Sequence, residues 1–329
     1  MRIDLPERIF RITDSSGFRN LALEVYRYQI ENNTVYKEFV INLGRKRKPP
    51  QCVSEIPFLP AEFFRNHKVI SEGLTSEAVF ESSGTAGMSP SCHWVHSLSI
   101  YETSFLSTFR LFYGEPSGFM IAAILPSYTD RSNSSLVYMM ETLVNKSMNP
   151  LSGFYEDDIG MLLGNINKAK EKGIRIILIG VSFALLDLAE KYFPDLSGTI
   201  IMETGGMKGK RNEITREELH AILRKKFKVS VIHSEYGMTE LLSQAYSKGE
   251  GIFHSPPWMK ILIRDPQDPL SIISDPGRTG GINVIDLANI YSCPFIATDD
   301  LGRLYEDGGF EVLGRFDNSD IRGCNLLVD

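Results

Sequence analysis

Cysteine, net positive charge and long apolar runs are all scarce in this sequence of 329 residues. Its four cysteines form no Cys-x-x-Cys pair, which argues against a finger-type zinc site and a disulfide scaffold. Acidic residues number 41 and basic residues 35, so no basic surplus is present to neutralise nucleic-acid phosphates. The uncharged run at 176–186 is 11 residues long, well below the ~20 needed to cross a bilayer, and the first residues lack the apolar core of a signal peptide. We therefore expect a cytoplasmic enzyme without a nucleic-acid partner or a membrane span.

Strand-like and helix-like patterns alternate between about residue 76 and residue 250. Short apolar runs at 119–125 and 174–180 suit buried strands. Further strands are predicted at 198–202 and 228–233, and helices at 134–145, 158–172, 183–192 and 213–227. The last helix begins with a Thr-Arg-Glu-Glu sequence that fits a capping box at Thr215. The alternation predicts an α/β core in which mostly parallel sheets are flanked by helices.

The two ends of the chain differ from this core. Residues 1–75 are predicted to be an irregular or helical lead-in, and short strands separated by Pro and Gly turns predict a small β-rich subdomain at 251–314. We expect one large domain over 1–314, divided at 76 and 250, and a hinge remnant with a tail at 315–329.

Three segments rich in glycine or hydroxyl groups follow predicted strands. The loop ESSGTAGMSPS at 81–91 lets backbone N–H groups and hydroxyls approach a phosphate, although it lacks the Gly-Lys-Ser/Thr ending of a Walker A loop. The segment ETGGMKGK at 203–210 combines glycines, which permit close approach of a planar base, with lysines. The segment SEYGMTE at 234–240 is predicted to end a strand and open a helix, and it offers an aromatic ring, a hydroxyl and a carboxylate. Each segment in isolation is also compatible with an ordinary turn.

Two more segments lie near the C-terminus. The sequence TDDLGR at 298–303 offers a carboxylate suited to paired ribose hydroxyls, although adjacent acids are usually found in a solvated turn. The sequence GRFDNSDIRGC at 314–324 ends the set. Among the histidines, His67 and His220 have the setting of surface residues.

In this order, the five segments resemble those of the adenylate-forming superfamily of acyl- and aryl-CoA ligases, luciferases and adenylation domains. The resemblance runs from about Glu81 to the C-terminus, and the Tyr-Gly-x-Thr-Glu element at 236–240 is its most specific part. It implies that ATP and a carboxylate give an acyl-adenylate and pyrophosphate.

The resemblance also implies a role for individual residues. Tyr236, with Gly237 beside it, would stack on adenine, Thr239 would contact the α-phosphate, and Glu240 would bind Mg²⁺. Asp300 would hold the ribose hydroxyls, and Arg315 would reach the same nucleotide region. The phosphate loop and the glycine turn near the base would comprise Ser82, Ser83, Gly84, Thr85, Gly87, Gly205 and Gly206.

Two departures distinguish the sequence from most of that superfamily. Pro90 is followed by Ser91, where a lysine is usual, and no counterpart of the C-terminal lid with its catalytic lysine is seen after Asp317. Lys208 and Lys210 are therefore the candidate cations for screening the phosphates.

The segments 125–140, 204–209 and 313–326 are similar to those of LuxE-type acyl-protein synthetases. That similarity implies a fatty acid substrate, a cysteine at Cys324 that accepts the acyl group, and an acyl-accepting reductase or carrier protein as partner. Two alternatives remain open from the residues: an aryl-acid or acyl-CoA ligase with an external thiol acceptor, and a non-catalytic nucleotide-binding partner subunit.

Overall fold

A computed structural model describes residues 5–44, 48–82, 89–125, 133–156, 158–206, 211 and 214–316. The chain forms two compact units, one built from residues 1–73 and 257–329 and the other from residues 74–256. We call them the discontinuous unit and the central unit and describe each by itself. Within the described residues, no helix combines the length and the apolar character needed to span a membrane.

The secondary structure comprises helices and strands in the following order along the described residues. The helices are α1 (Leu5–Ile9), α2 (Ser15–Asn32), α3 (Thr34–Asn42), α4 (Phe63–Asn66), α5 (Leu98–Tyr113), α6 (Ser135–Ser147), α7 (Ile159–Glu171), α8 (Ser182–Lys191) and α9 (Arg216–Phe227). The strands are β1 (Leu59–Pro60), β2 (Ala78–Glu81), β3 (Cys92–Val95), β4 (Phe119–Ile124), β5 (Gly153–Phe154), β6 (Arg175–Val181), β7 (Thr199–Thr204), β8 (His233–Tyr236), β9 (Ala245–Ser247), β10 (Ile252–Phe253), β11 (Met259–Arg264), β12 (Ile272–Ile273), β13 (Thr279–Asp286), β14 (Phe295–Leu304) and β15 (Phe310–Arg315).

The central unit contains a six-stranded sheet in the order β5-β4-β6-β7-β8-β9. All neighbouring pairs are parallel except β8 and β9, which are antiparallel. All six residues of β4 are buried, as expected for a strand covered on both faces. Strands β2 and β3 form a separate antiparallel hairpin. The predicted α/β class with a mostly parallel sheet is confirmed.

Helix starts in the central unit are set by side chains that cap free backbone N–H groups. The hydroxyl of Ser134 accepts a hydrogen bond from the first turn of α6, and the carboxylate of Asp158 does the same for α7. At α9, Thr215 and Glu218 form a reciprocal capping box, which confirms the prediction at that helix. The sequence thus marks three helix starts through local chemistry.

The core of the central unit packs α7, α8 and α9 together with the sheet. Its members include Leu178 of β6, Leu185 of α8 and Leu223 of α9, each fully buried. Burial of one such side chain stabilises the fold by roughly 1.5–3 kcal/mol. This core holds the parallel strands in register and so fixes the positions of the loops that follow them.

The discontinuous unit contains a mostly antiparallel sheet in which β15, β14, β13, β11 and β12 are neighbours in that order. Strand β1 joins β14 in parallel. Two buried amides connect α2 and the turn before α3 to the segment after β13: Gln29 Nε2 donates to the carbonyl of Ile290 (2.6 Å) and Asn33 Nδ2 to that of Ser292 (2.7 Å). The predicted β-rich segment near the C-terminus is confirmed as this sheet.

Three local predictions are wrong. No helix opens at 234–240: after β8 the chain turns, with the N–H of Leu241 donating to the carbonyl of Met238, and returns as the antiparallel strand β9. The strand predicted at 228–233 begins only at His233, because Lys228 ends α9 in the left-handed conformation. The adjacent acids at 299–300 lie in the strand β14 rather than in a turn, because β15 pairs with this part of β14, with Asp300 opposite Arg315.

Candidate active site

The carboxyl ends of β6, β7 and β8 bring the predicted base-binding residues to one edge of the parallel sheet. Val181 pairs with Thr204, and Thr204 pairs with Glu235, so the strands end nearly level. Gly205 follows β7 directly, with a φ of +65° that suits glycine, and Tyr236 is the last residue of β8. In open α/β sheets this edge is where ligands bind.

A buried polar network lies directly behind the Gly205 turn. Ser182 Oγ donates to the carbonyl of Gly205 (2.6 Å) and lies 3.3 Å from Oε2 of Glu203. The other oxygen of Glu203 is 3.2 Å from Nε of Arg216. The network thus ties the glycine turn to the first residue of α9.

The neighbours of Glu203 stabilise the negative charge of its carboxylate. Burial raises the pKa of the Glu203 carboxyl, but the hydrogen bond from His220 and the charge of Arg216 outweigh burial, so the pKa lies below its ordinary value. His220 Nε2 lies 3.5 Å from the carboxylate and 3.3 Å from the hydroxyl of Ser234. His220 is therefore buried, and its prediction as a surface residue is wrong because it lies on the inner face of α9.

The same network reaches the Tyr236 ring through one aromatic contact. The guanidinium of Arg216 lies over the Phe253 ring, 5.0 Å from its centre. Phe253 in turn meets Tyr236 edge to face, with 5.9 Å between ring centres. Tyr236 is buried at 8% exposure, so the orientation of its ring depends on these neighbours.

Thr239 and Glu240 lie in the turn between β8 and β9. His93 Nδ1 is 2.8 Å from the carbonyl of Thr239, and because a carbonyl only accepts, the proton is on this nitrogen. His93 belongs to β3, the strand that follows the predicted phosphate loop, and it is fully buried. Glu240 is also buried, at 6% exposure, while Gly237 at the start of the turn is exposed.

The stem of the predicted phosphate loop is a closed hairpin. Ser82 and Ser91 are joined by two hydrogen bonds: the N–H of Ser82 donates to the carbonyl of Ser91 (3.0 Å), and the N–H of Ser91 donates to Oγ of Ser82 (2.9 Å). Asn133 exchanges hydrogen bonds with Glu81 at the same end of the hairpin. These contacts fix both ends of the loop relative to the start of α6.

Asp300 and Arg315 lie in the discontinuous unit, directly opposite each other on β14 and β15. Their side chains form an ion pair with 3.4 Å between Nε of Arg315 and Oδ1 of Asp300. The N–H of Asp300 donates to the hydroxyl of Thr298 (3.1 Å), and the ladder shifts register just after Asp300, between Leu301 and Gly302. The irregular ladder therefore sets the direction of this carboxylate.

Several predicted site residues lie outside the described residues. They are Ser83, Gly84, Thr85, Gly87, Lys208, Lys210 and Cys324. Within the described residues, no three His, Cys, Asp or Glu side chains gather as a metal site would require.

Sequence reasoning missed Ser182, Arg216 and the role of Glu203. A signal for Glu203 was present, because the one charged residue of the strand TIIMET requires a partner if the strand is buried. Ser182 carried no such signal, since it follows an apolar strand as many helix-starting serines do. Its contact with the Gly205 turn depends on the pairing of β6 with β7.

Comparisons with known proteins place the fold. No protein-family model and no curated protein matches the chain. Among solved structures, ATP-bound MatB from Rhodopseudomonas palustris matches at 17% identity with a TM-score of 0.54, over 72% of this chain and 48% of that one. An ATP-bound chimera of RpMatB and BxBclM matches at 18% and 0.55, over 75% and 49% of the two chains. A double mutant of o-succinylbenzoate CoA synthetase (MenE) from Bacillus subtilis, bound to a product analogue, matches at 20% and 0.51, over 73% and 49%.

The chain spans about half the length of these structures. At such identities the likeness concerns the fold, and function has to be argued from the site. With its mostly parallel sheet, flanking helices and β-rich unit, the chain has the fold of the N-terminal domain of adenylate-forming enzymes.

Proposed function

We propose that this protein uses ATP to convert a carboxylic acid, in the first instance a fatty acid, into an acyl-adenylate. The acyl group then passes to a thiol, for which Cys324 is our candidate, as in LuxE-type acyl-protein synthetases. In the first step a carboxylate oxygen attacks the α-phosphorus and pyrophosphate leaves. In the second step the thiolate attacks the acyl carbon, AMP leaves, and the thiol proton passes to solvent.

The observation that carries this proposal is the Asp300–Arg315 pair. The resemblance assigns both residues to the same nucleotide region from separate segments, and they are cross-strand partners with 3.4 Å between their charged groups. A carboxylate can accept hydrogen bonds from two adjacent ribose hydroxyls, and a neighbouring cation suits a phosphate ester. The arrangement therefore supports a nucleotide as the ligand.

The first step requires that negative charge be screened on both the attacking and the leaving groups. Backbone N–H groups of the loop closed by Ser82 and Ser91 are the proposed donors, and Lys208 and Lys210 are the proposed cations. Thr239, whose backbone His93 anchors, is assigned to the α-phosphate. Tyr236 and the turn at Gly205 and Gly206 are assigned to the adenine.

Glu240 is our proposed ligand for Mg²⁺. Mg²⁺ at nucleotide sites is usually held by one or two carboxylates and the substrate phosphates, so a single buried carboxylate oxygen fits this donor set. When bound, the ion neutralises phosphate charge. The protein's own part is to hold that carboxylate in the turn between β8 and β9.

Carboxylate-dependent exchange of pyrophosphate into ATP tests the first step. We expect exchange with a fatty acid in a panel of fatty and aryl acids. Exchange with aryl acids alone would favour the aryl-acid ligase instead. Exchange with none of the acids would favour a nucleotide-binding partner subunit and would contradict the proposal.

The substitution Cys324→Ser tests the acceptor. A serine hydroxyl is far less ionised than a thiol of pKa about 8.5, so it should not replace the nucleophile at neutral pH. We expect exchange to continue while a hydroxylamine-labile acyl-protein band, seen on denaturing gels with labelled fatty acid, disappears. The same outcome is expected when residues 324–329 are deleted, and Cys52→Ser serves as the control that keeps the band.

An external thiol is the second candidate acceptor. It is favoured by the likeness to o-succinylbenzoate CoA synthetase, whose structure contains a CoA product analogue. Strong exchange without an acyl-protein band, together with a thioester formed on added coenzyme A or on a carrier protein, would support this acceptor. An acyl-accepting reductase as downstream partner and a cytoplasmic location belong to the same proposal.

A further inference from the structure

One face of the central unit combines exposed aromatic rings with a dense group of lysines. The face comprises Tyr192 and Phe193, which follow α8, and Lys170, Lys226 and Lys228, which lie at the ends of α7 and α9. We call it the lysine–aromatic face. Tyr192 is 51% exposed and Phe193 is 62% exposed, although both side chains are largely apolar.

Direct contacts join Phe193 to Lys226, and Asp195 to Lys170 and Lys228. Lys226 Nζ lies 4.5 Å from the centre of the Phe193 ring. Asp195 joins the other two helices, because Lys170 Nζ donates to its carbonyl and Lys228 Nζ lies 3.0 Å from its carboxylate. The N–H of Leu196 also donates to the carbonyl at the end of α9. The ends of α7, α8 and α9 are thus held side by side.

The charge of this face is opposite to that of the whole chain. The chain has 41 acidic and 35 basic residues, yet the segments 191–197 and 224–230 contain one carboxylate, that of Asp195, which is paired with Lys228. The cations of the two segments are Lys191, Arg224, Lys225, Lys226 and Lys228, of which Lys191 is paired with Asp187 and Lys228 with Asp195. A basic residue at a helix C-terminus complements the helix dipole, but that explanation accounts for neither their number nor the aromatic rings between them.

Phe193 is held in an unfavourable backbone conformation. Its φ is +48°, in the left-handed region that bulky side chains rarely adopt. The ring gains no burial in return, because it remains mostly exposed. Packing within the chain therefore does not explain the position of this ring.

We propose that the lysine–aromatic face binds reversibly to bilayers that contain anionic phospholipids. Aromatic rings are favoured at the level of the lipid headgroups, where lysines on long flexible stems reach the phosphates. A polyanion without an apolar layer would pair with the lysines and leave the rings of Tyr192 and Phe193 in water. The exposed rings therefore favour a bilayer over an acidic protein or a nucleic acid. This inference is independent of the proposed function.

Sedimentation of the full-length protein with lipid vesicles tests the proposal. We expect binding to vesicles of phosphatidylcholine mixed with phosphatidylglycerol, little binding to phosphatidylcholine alone, and release at high salt. The double variant Lys226→Gln/Lys228→Gln should bind about tenfold more weakly or worse, since each lysine or arginine near an anionic surface adds severalfold to the affinity. The variant Lys37→Gln/Lys48→Gln makes the same charge change at exposed sites of the discontinuous unit and should bind like the parent.

The variant Phe193→Gly tests whether the aromatic ring contributes to vesicle binding without destabilising the fold. Glycine accepts a positive φ, so thermal stability should not fall, whereas vesicle binding should weaken. Leu270→Ser, at a residue that is 44% exposed, is the matched control and should bind normally. Absence of binding to anionic vesicles at low salt would overturn the proposal. An equal loss of vesicle binding in the controls Lys37→Gln/Lys48→Gln and Leu270→Ser would overturn it as well. If the protein is retained on immobilised polyglutamate but does not bind vesicles, the partner of this face is an acidic protein and the bilayer proposal is wrong.

Discussion

Asp300 and Arg315 face each other across β14 and β15, and their exposures differ sharply. The side chain of Asp300 is 14% exposed, whereas that of Arg315 is 75% exposed, across an ion pair of 3.4 Å. An ion pair with so exposed a partner contributes at most about 1 kcal/mol to stability. The proposed binding of ribose hydroxyls would give this mostly covered carboxylate a role beyond the ion pair.

Asp300→Asn should selectively weaken nucleotide binding. A hydrogen bond to a charged group contributes roughly 1.5–3 kcal/mol, so we expect KM for ATP to rise about tenfold to a hundredfold in pyrophosphate exchange. The parent should also prefer ATP over 2′-deoxy-ATP, and the variant should lose most of this preference. Asp299→Asn, at the exposed neighbouring carboxylate, is the control. An unchanged preference for the ribose hydroxyl in Asp300→Asn would contradict the ribose assignment.

Ser182→Ala should loosen the glycine turn without disrupting the core. It removes the 2.6 Å hydrogen bond to the carbonyl of Gly205, which should cost about 1 kcal/mol of unfolding free energy. Because Ser182 acts through the turn, we expect KM for ATP to rise while kcat changes little. Ser182→Thr, which keeps the hydroxyl, should restore a normal KM. A fall in kcat with an unchanged KM would show that Ser182 does not position the adenine base of ATP.

Glu203→Gln probes the charge at the centre of the same network. The substitution keeps the shape of the side chain but leaves Arg216 without its buried anionic partner, which lies 3.2 Å away. We expect the unfolding free energy to fall by roughly 1–3 kcal/mol and KM for ATP to rise. Glu217→Gln, at an exposed acid in the first turn of α9, should change neither quantity. Equal thermal unfolding midpoints for the two variants would argue against an anionic Glu203.

The sequence indicated the strands and helices of the central unit because their apolar periodicity is a local property. It also indicated Tyr236 and Asp300 through a resemblance in motif order. The hairpin after β8 was missed, since antiparallel return to β9 depends on pairing between 234–236 and 245–247. The Ser182–Glu203–Arg216 network was missed for the same reason, because sheet register brings together residues that are far apart in sequence.

Glu240→Gln should abolish pyrophosphate exchange while leaving the fold intact. The amide has nearly the same volume but is a much weaker ligand for Mg²⁺. We expect exchange to fall by at least about a hundredfold and the dependence on Mg²⁺ to shift to higher concentration. Glu250→Gln, at an exposed glutamate of the central unit, is the control. Normal exchange at ordinary Mg²⁺ would show that Glu240 does not hold the metal.

Two Gly→Ala substitutions should change stability in opposite directions. At Gly302 in β14 a Cβ would overlap the carbonyl oxygen of Glu311 and approach Ile282 Cδ1 to 2.7 Å, so Gly302→Ala should destabilise by about 1–3 kcal/mol. At Gly164 in α7 nothing lies within 4 Å, so Gly164→Ala should stabilise by about 0.5–1 kcal/mol. Urea unfolding of both variants measures these changes. A stabilising Gly302→Ala would contradict the close packing of β14 against β13 and β15.

His233 should make the protein less stable as the pH falls below neutral. Burial, assisted by the charge of Lys248, lowers the pKa of His233 from 6.5 to about 4. Its Nδ1 lies within hydrogen-bond distance of the hydroxyl of Tyr113 (3.1 Å), whose pKa is raised by burial and which therefore keeps its proton. The folded state consequently holds this histidine neutral at pH values where an unfolded chain would protonate it.

This difference fixes the direction of the pH effect. Above pH 6.5 His233 is neutral in both the folded and the unfolded state, so no stability is lost. Between pH 6.5 and about 4 the unfolded state binds a proton that the folded state excludes. The unfolding free energy therefore falls as the pH is lowered through this range. In His233→Gln we expect lower stability at neutral pH, from lost packing, but a shallower decline between about pH 7 and pH 5. Urea unfolding across this range measures both. A parental slope in His233→Gln would show that the buried imidazole is not the titrating group.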